Sequence, residues 1–297
     1  MTLIAGAKEL SLQVGDLRFT AYEMGQGPLA LCLHGFPDTA RTWRHLLPIL
    51  AANGWRAVAV CARGYEPSSQ PSDGDYGMAA LSDDVGGWMD ALGEARGVLI
   101  GHDWGASIAY AAAAKSPDRV TALVTLAVPH PAGLSAALVQ DLGQLKRSWY
   151  IFLFQVLGLS DLVVQANDYA FIEMLWRDWS PGWAWEAGDL HAVKTALAKP
   201  GVTTAALGYY RAALDSAAPR GAESQALAGM SITAPTLGLA GGRDGCISAD
   251  VFEQGMTPAL FAGGVEVRKV AGVGHFLQME APALVNDHIV GWLAKHR

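Results

Sequence analysis

Cysteine is scarce in this chain of 297 residues: Cys32, Cys61 and Cys246 are odd in number and show no metal-ligand spacing. That argues against a disulfide framework or a thiolate metal site, and makes free buried thiols in a cytoplasmic protein the expectation. Basic runs are missing too. With a formal net charge of −7 and a pI near 5.6, neither nucleic acid nor an anionic membrane is an expected partner. No apolar run reaches the length of a membrane span; the nearest candidate, residues 149–164, is interrupted by Gln155, Ser160 and Asp161. The first thirty residues carry Lys8, Glu9, Asp16, Arg18 and Glu23, so no signal-peptide core is expected there. Internal repeats and low-complexity tracts are absent apart from alanine-rich helices. What abounds is apolar: 51% of the residues are hydrophobic, enough for a large core with an inserted subdomain.

Leu10 to Val14 and Leu17 to Tyr22 flank the turn pair Gly15-Asp16 and read as a β-hairpin. The unbroken run Leu29-Ala30-Leu31-Cys32-Leu33 reads as a strand buried on both faces. A helix is expected from about Thr42 to Ala52, a strand from Arg56 to Ala62, a helix from Met78 to Leu92 and a strand from Ala122 to Val128. This alternation predicts an α/β fold with a mostly parallel, doubly wound sheet. After Val128-Pro129-His130-Pro131 the alternation stops. A helical stretch follows that holds five of the ten tryptophans: Trp149, Trp176, Trp179, Trp183 and Trp185. Strands resume at Pro235 to Ala240 and Val265 to Val270, before a closing helix from Pro282 to Lys295. The expected organisation is a core domain of residues 1–131 and 229–297, with residues 132–228 inserted as a helical lid.

The organising stretch is Gly101-His102-Asp103-Trp104-Gly105, between the apolar run Val98-Leu99-Ile100 and a small-residue helix starting near Ala106. A strand that turns at once into a helix, with glycines flanking one side chain, is a nucleophile elbow, here with Asp103 at its tip. Ligands in α/β folds sit at the carboxyl ends of strands, and two more such ends carry reactive groups. Asp244 follows the strand ending at Ala240, and His275 lies in the glycine-rich loop after Val270. Nucleophile, acid and histidine in that chain order form the triad order of this fold. Asp244 would hold the imidazole's tautomer and leave its other nitrogen free as a base. The oxyanion donors expected from the fold are the backbone N–H groups of Trp104 and Phe36. His34, His102 and His130 read as structural hydrogen-bonders.

An aspartate nucleophile narrows the chemistry. Serine attacking a saturated carbon would leave an ether that water cannot open, whereas a carboxylate leaves a hydrolysable ester. The expected electrophiles are therefore epoxides and alkyl halides. A halide departs as a stable anion, but an opening epoxide leaves as an alkoxide and needs a proton donor such as a phenol. Tyr150, Tyr169, Tyr209 and Tyr210 lie in the inserted stretch. Tyr209 and Tyr210 are about 100° apart on a helix, so one of the two is expected to face the cleft.

With these motifs the chain resembles a bacterial epoxide hydrolase of the α/β-hydrolase superfamily over nearly its whole length. His34-Gly35-Phe36-Pro37 resembles that family's oxyanion motif, Gly101 to Gly105 its aspartate elbow, and Gly272-Val273-Gly274-His275-Phe276 its histidine loop. Arg147-Ser148-Trp149-Tyr150 is similar to the segment carrying the first ring-opening tyrosine. Tyr209-Tyr210-Arg211 resembles the segment carrying the second, which implies Tyr150 and Tyr210 for those roles. Glu66 stands where a glycine usually follows Tyr65. Haloalkane dehalogenases share the Asp-Trp elbow but resemble His-Gly-Asn-Pro at the oxyanion loop, and fluoroacetate dehalogenases carry arginines after the nucleophile. The resemblance implies a cofactor-free, metal-free enzyme opening a small-molecule epoxide to a vicinal diol, with Asp103, Asp244, His275, Tyr150 and Tyr210 catalytic. Phe36, Trp104, Tyr150 and Tyr210 would contact the substrate. A haloalkane dehalogenase and a non-catalytic ligand sensor on the same fold are the alternatives, and a homodimer is the one assembly left open.

Overall fold

The computed structural model describes residues 3–218 and 220–296. The strands are β1 (Lys8–Val14), β2 (Leu17–Met24), β3 (Leu29–Leu33), β4 (Arg56–Val60), β5 (Gly97–His102), β6 (Val120–Leu126), β7 (Thr236–Gly241) and β8 (Val265–Val270). They form one sheet in the order β1-β2-β4-β3-β5-β6-β7-β8; β2 is antiparallel to both its neighbours and every other pairing is parallel. Val14 pairs with Leu17 across the expected Gly15-Asp16 turn, and Gly15 supplies the positive φ of 54°.

Alternation along the strands sends side chains to opposite faces, and each face has its own core. Leu31, Leu33, Val58, Val60 and Leu99 pack beneath α2 (Met78–Ala91) and α3 (Trp104–Lys115), which follow α1 (Leu47–Ala52) in the chain. Ala30, Cys32, Ala57, Ala59 and Ile100 face Leu47 and Leu50 of α1 and Val285, Ile289 and Trp292 of the last helix. The sheet is thus wound on both sides, as the apolar runs of β3 and β5 predict. The helix expected from Thr42 to Ala52 is two pieces: a 3₁₀ turn, Ala40–His45, and then α1, with Pro48 inside its first turn.

Between β6 and β7, among the described residues, lie seven helices: α4 (Pro131–Gln140), α5 (Leu142–Arg147), α6 (Trp149–Leu153), α7 (Leu159–Trp179), α8 (Ala187–Leu197), α9 (Val202–Leu214) and α10 (Gly221–Ala228). After β7 come α11 (Ala249–Gly255), the short α12 (Leu277–Glu280) that follows β8, and α13 (Pro282–Leu293). Helix α7 is not continuous: Asn167, Asp168 and Tyr169 take left-handed conformations and break it into two arms. None of these three is glycine, although Asn and Asp are the other residue types that visit that region.

Candidate active site

Asp103 stands between the last residue of β5 and the first of α3, at φ 53° and ψ −122°. Such a conformation costs a non-glycine residue on the order of 1–3 kcal/mol and persists only where its surroundings impose it. The flanking glycines impose it sterically. A Cβ on Gly101 would run into the Gly105 carbonyl, and one on Gly105 into the Leu33 carbonyl at the end of β3. Gly35 is equally constrained, because a Cβ there would strike the Asp103 carboxylate. Strand β3 and the elbow therefore meet backbone to backbone, which brings the loop after β3 onto the aspartate: the Phe36 N–H donates to Asp103 Oδ1 at 2.8 Å.

The other two strand-end residues converge on the same carboxylate. His275 Nδ1 lies 2.9 Å from Asp244 Oδ2, and its Nε2 lies 3.4 Å from Asp103 Oδ2, an ion-pair distance without hydrogen-bond alignment. Asp244 is itself held, since its Oδ1 accepts the N–H groups of Cys246 at 2.7 Å and Ile247 at 3.0 Å. All three side chains are buried, with residue exposures of 5% for Asp103, 6% for Asp244 and none for His275. Burial alone would push the imidazole down, but the carboxylates of Asp244 and Asp103 on either side outweigh it and carry His275 up to about 10. Neighbouring His102 goes the other way, to about 3, because burial and the His275 charge both oppose its protonation. Its Nε2 donates to the His275 carbonyl at 2.9 Å. His34 and His130 also spend their nitrogens on backbone groups. His34 Nε2 accepts the Ala62 N–H at 3.1 Å, and His130 bonds the Ala132 N–H and the Met230 carbonyl.

Aromatic side chains from the inserted helices cover this trio. The Tyr210 ring meets Trp104 edge-on at 4.9 Å between centroids, Phe36 at 5.5 Å and Tyr150 at 5.7 Å. Its hydroxyl is buried and makes no well-formed hydrogen bond; the Trp104 indole lies near enough to favour the phenolate slightly, against burial and the Asp103 charge, which together hold Tyr210 well above the usual phenol range. Tyr150 is raised likewise by burial and by the neighbouring Cys246, whose Sγ sits 3.3 Å from the Tyr150 hydroxyl. Tyr209 points elsewhere. Its hydroxyl donates to the Arg63 carbonyl at 2.7 Å, and its ring stacks on Tyr76. Helical phase predicts only one of the pair at the cleft, yet both rings border the cavity and it is the hydroxyls that diverge. Tyr169 lies in the left-handed break of α7, with its hydroxyl 3.4 Å from Thr203 Oγ1.

A cavity of about 400 Å³ opens from Asp103 along α3. Its walls are apolar, with Leu134 and Leu138 of α4, Ile151 and Leu227 among them, and small side chains such as Ala111 keep it open. Two contributors escape sequence reasoning: Cys246, which reaches Tyr150 only because the turn after Asp244 doubles back, and Trp179, whose ring lies 5.0 Å from both His275 and Tyr150. A larger crevice beside Lys8, Glu23, Arg56 and Glu94 touches none of these groups. Among the described residues no group of three or more His, Cys, Asp or Glu side chains is arranged to hold a metal ion, and no helix is long and apolar enough to cross a membrane.

Residues 28–282 match the alpha/beta hydrolase fold family. The chain is similar to epoxide hydrolase 4 of Homo sapiens, at 30% identity over 92% of this chain and 75% of the relative. It is also similar to an epoxide hydrolase of Caballeronia sordidicola, at 29% identity over 98% and 95% of the two chains. Among solved structures, an epoxide hydrolase from an endophytic Streptomyces superposes with a TM-score of 0.83 at 28% identity, covering 98% of this chain and 96% of that one. Epoxide hydrolase A from Mycobacterium thermoresistibile gives 0.82 at 27% identity, with 97% and 98% covered. The chain belongs to the α/β-hydrolase fold family, in the branch whose members carry the name epoxide hydrolase.

Proposed function

We propose that this protein hydrolyses epoxides to vicinal diols through a covalent ester on Asp103. The observation that carries the reading is the juxtaposition of an elbow aspartate, its Oδ1 already on the Phe36 amide, with the unengaged phenol of Tyr210 across the same cavity. Residues 132–228 act as the lid that supplies this phenol and that of Tyr150.

Asp103 Oδ2 attacks a ring carbon, the carbon–oxygen bond breaks, and a tyrosine proton passes to the departing alkoxide. Because burial and the neighbouring carboxylate keep both phenols in the protonated form, they are donors at neutral pH. Ester formation then removes the Asp103 charge from beside His275. The imidazole loses one of the two carboxylates that hold it protonated, and the proton it sheds balances the one drawn from tyrosine. Neutral His275, oriented by Asp244, takes a proton from water as that water attacks the ester carbonyl. The Phe36 and Trp104 amides hold the resulting oxyanion; as it collapses the bond from the carbonyl carbon to the diol oxygen breaks, the His275 proton passes to that oxygen, the diol leaves, and the Asp103 carboxyl returns its proton to the imidazole. The apolar cavity walls suit an apolar or aromatic substituent on the epoxide. Three buried free thiols suit a reducing compartment, and the cytoplasm is the assignment we favour.

A single turnover in ¹⁸O-water tests the scheme by mass spectrometry. The first diol should be unlabelled and Asp103 should carry the label; label in the first diol overturns the covalent route. The Asp103-Trp104 elbow also suits halide displacement, so 1-bromoalkanes belong in the same assay. Halide release without diol from styrene oxide would favour a dehalogenase, and a ligand-induced melting shift without turnover would favour a sensor.

A further inference from the structure

The loops that carry Asp244 and His275 both meet the inserted segment at the carboxyl end of α7; the Asp244 loop is also held from α5, where Gln144 donates to the Cys246 carbonyl at 2.8 Å and accepts the Ser248 N–H at 3.2 Å. The Trp179 carbonyl, one of the last of that helix, accepts the His275 N–H at 3.1 Å and the Gly245 N–H at 3.0 Å. Next to it, Ser180 is fully buried and its Oγ accepts the Phe276 N–H at 3.1 Å while donating to Glu280 Oε1 at 2.5 Å. Glu280 closes the circuit, because its Oε2 accepts the Gly274 N–H at 2.9 Å. Three consecutive amides, those of Gly274, His275 and Phe276, are thereby held from α7 and Glu280.

The packing is as close as the bonding. A Cβ on Gly245 would strike the Asp178 carbonyl, and one on Gly274 would strike Ser180. The end of α7 is thus wedged between the acid loop and the base loop, with glycine on both sides of the wedge. Its negative dipole end lies at the His275 backbone amide, and a negative end so placed favours the cation that forms when His275 takes a proton from water.

We propose that Ser180 and Glu280 are positioning residues for the water-activating step: they hold His275 in register with Asp244, and the Glu280 charge adds to the basicity of the imidazole. This rests on the covalent reading above, and it concerns one half of that cycle. Ring opening uses Asp103 and the tyrosines, so the clamp bears on ester hydrolysis and leaves ester formation alone. The charged groups facing His275 are Asp103 from the elbow, Asp244 from the loop after β7 and Glu280 from α12, with buried His102 neutral beside them. Arg44, Glu186 and Asp189 line the crevice on the outer side of Glu280.

The experiment is rapid-quench mass spectrometry of the full-length enzyme with styrene oxide, following the alkyl-enzyme ester in wild type, Ser180→Ala, Glu280→Gln and Glu280→Ala. Ester formation should stay within about twofold, while hydrolysis slows about tenfold or more because the base is displaced from its aligned position. Ester should accumulate accordingly. Glu280→Gln keeps an acceptor for the Gly274 amide but loses the charge, so the acid limb of its hydrolysis rate should move to lower pH. In Ser180→Ala that limb should stay in place. Equal losses in both half-reactions, or unchanged hydrolysis in all three variants, would overturn the clamp while leaving the covalent route standing. A wild-type enzyme that forms no ester would overturn both.

Discussion

The sheet side of the site and the side formed by the inserted helices, the lid we propose, are held together by different means. On the sheet side the contacts are backbone to backbone: Gly35, Gly101 and Gly105 let β3, β5 and α3 meet closely enough to force Asp103 into its unusual conformation. On the other side, apart from the bonds at the end of α7, the contacts around the two tyrosines are ring on ring, with Tyr150 and Tyr210 packed edge to face on each other and on Phe154, and Trp179 tilted against Tyr150. Backbone contacts have no slack, since a single added methyl group collides with a carbonyl. Ring packing tolerates repacking at modest cost. The nucleophile we propose therefore occupies the rigid part of the molecule, and the ring-opening groups we assign occupy the adaptable part.

That contrast yields graded tests. The largest effect should follow Asp103→Asn, which removes the proposed nucleophile and should lower kcat for styrene oxide by at least roughly 10⁴-fold. Gly105→Ala should be nearly as damaging by a different route. Its Cβ meets the Leu33 carbonyl, and a loss of about 3 kcal/mol or more in urea unfolding is expected. On the lid side, Tyr210→Phe should slow ester formation by roughly 10²-fold with little change in melting temperature. Tyr209→Phe should do the reverse, leaving turnover within about twofold but costing about 1 kcal/mol for the lost bond to the Arg63 carbonyl. If the two tyrosine variants lose turnover equally, Tyr210 has no special role.

Asp38, in the loop next to Phe36, gives a pH test on the rigid side. Burial outweighs its bonds to Thr39 and Thr42 and raises its carboxyl to about 7. A folded-state value above the unfolded one means the protein binds a proton that the unfolded chain has released. This contribution to stability is full at acid pH and is lost as the pH rises from about 4 to about 7. Asp38→Asn should flatten that part of the melting curve against pH and raise the melting temperature at pH 8; an unchanged slope would show that Asp38 is ionised in the fold. The smallest effect belongs to Gly188→Ala in α8, where a Cβ meets nothing within 4 Å. A gain of about 0.5–1 kcal/mol is expected there, in contrast to the loss at Gly105.

Much of this arrangement was legible in the residue order. Asp103 and Asp244 each follow an apolar strand and His275 an alternating one, and parallel strands deliver their carboxyl ends to one edge of a sheet whatever the helices between them do. The glycines around Asp103 were readable for the same reason, because a strand that turns straight into a helix leaves no room for side chains. The inserted stretch was harder. Its helices show as helices, but the left-handed break at Asn167 to Tyr169 carries no glycine.

By itself the sequence determined the sheet, the elbow and the residue at its tip, since these follow from local periodicity and from which residues tolerate a sharp turn. Only the tertiary structure decided that the phenol of Tyr210 stays unengaged at the cavity while that of Tyr209 is bound to Arg63. Only it set the end of α7 between the loops of Asp244 and His275. Both outcomes depend on atoms far apart in the chain: a hydroxyl and a carbonyl 146 positions away, and a helix end and a glycine loop 96 positions away. No local pattern records such distances.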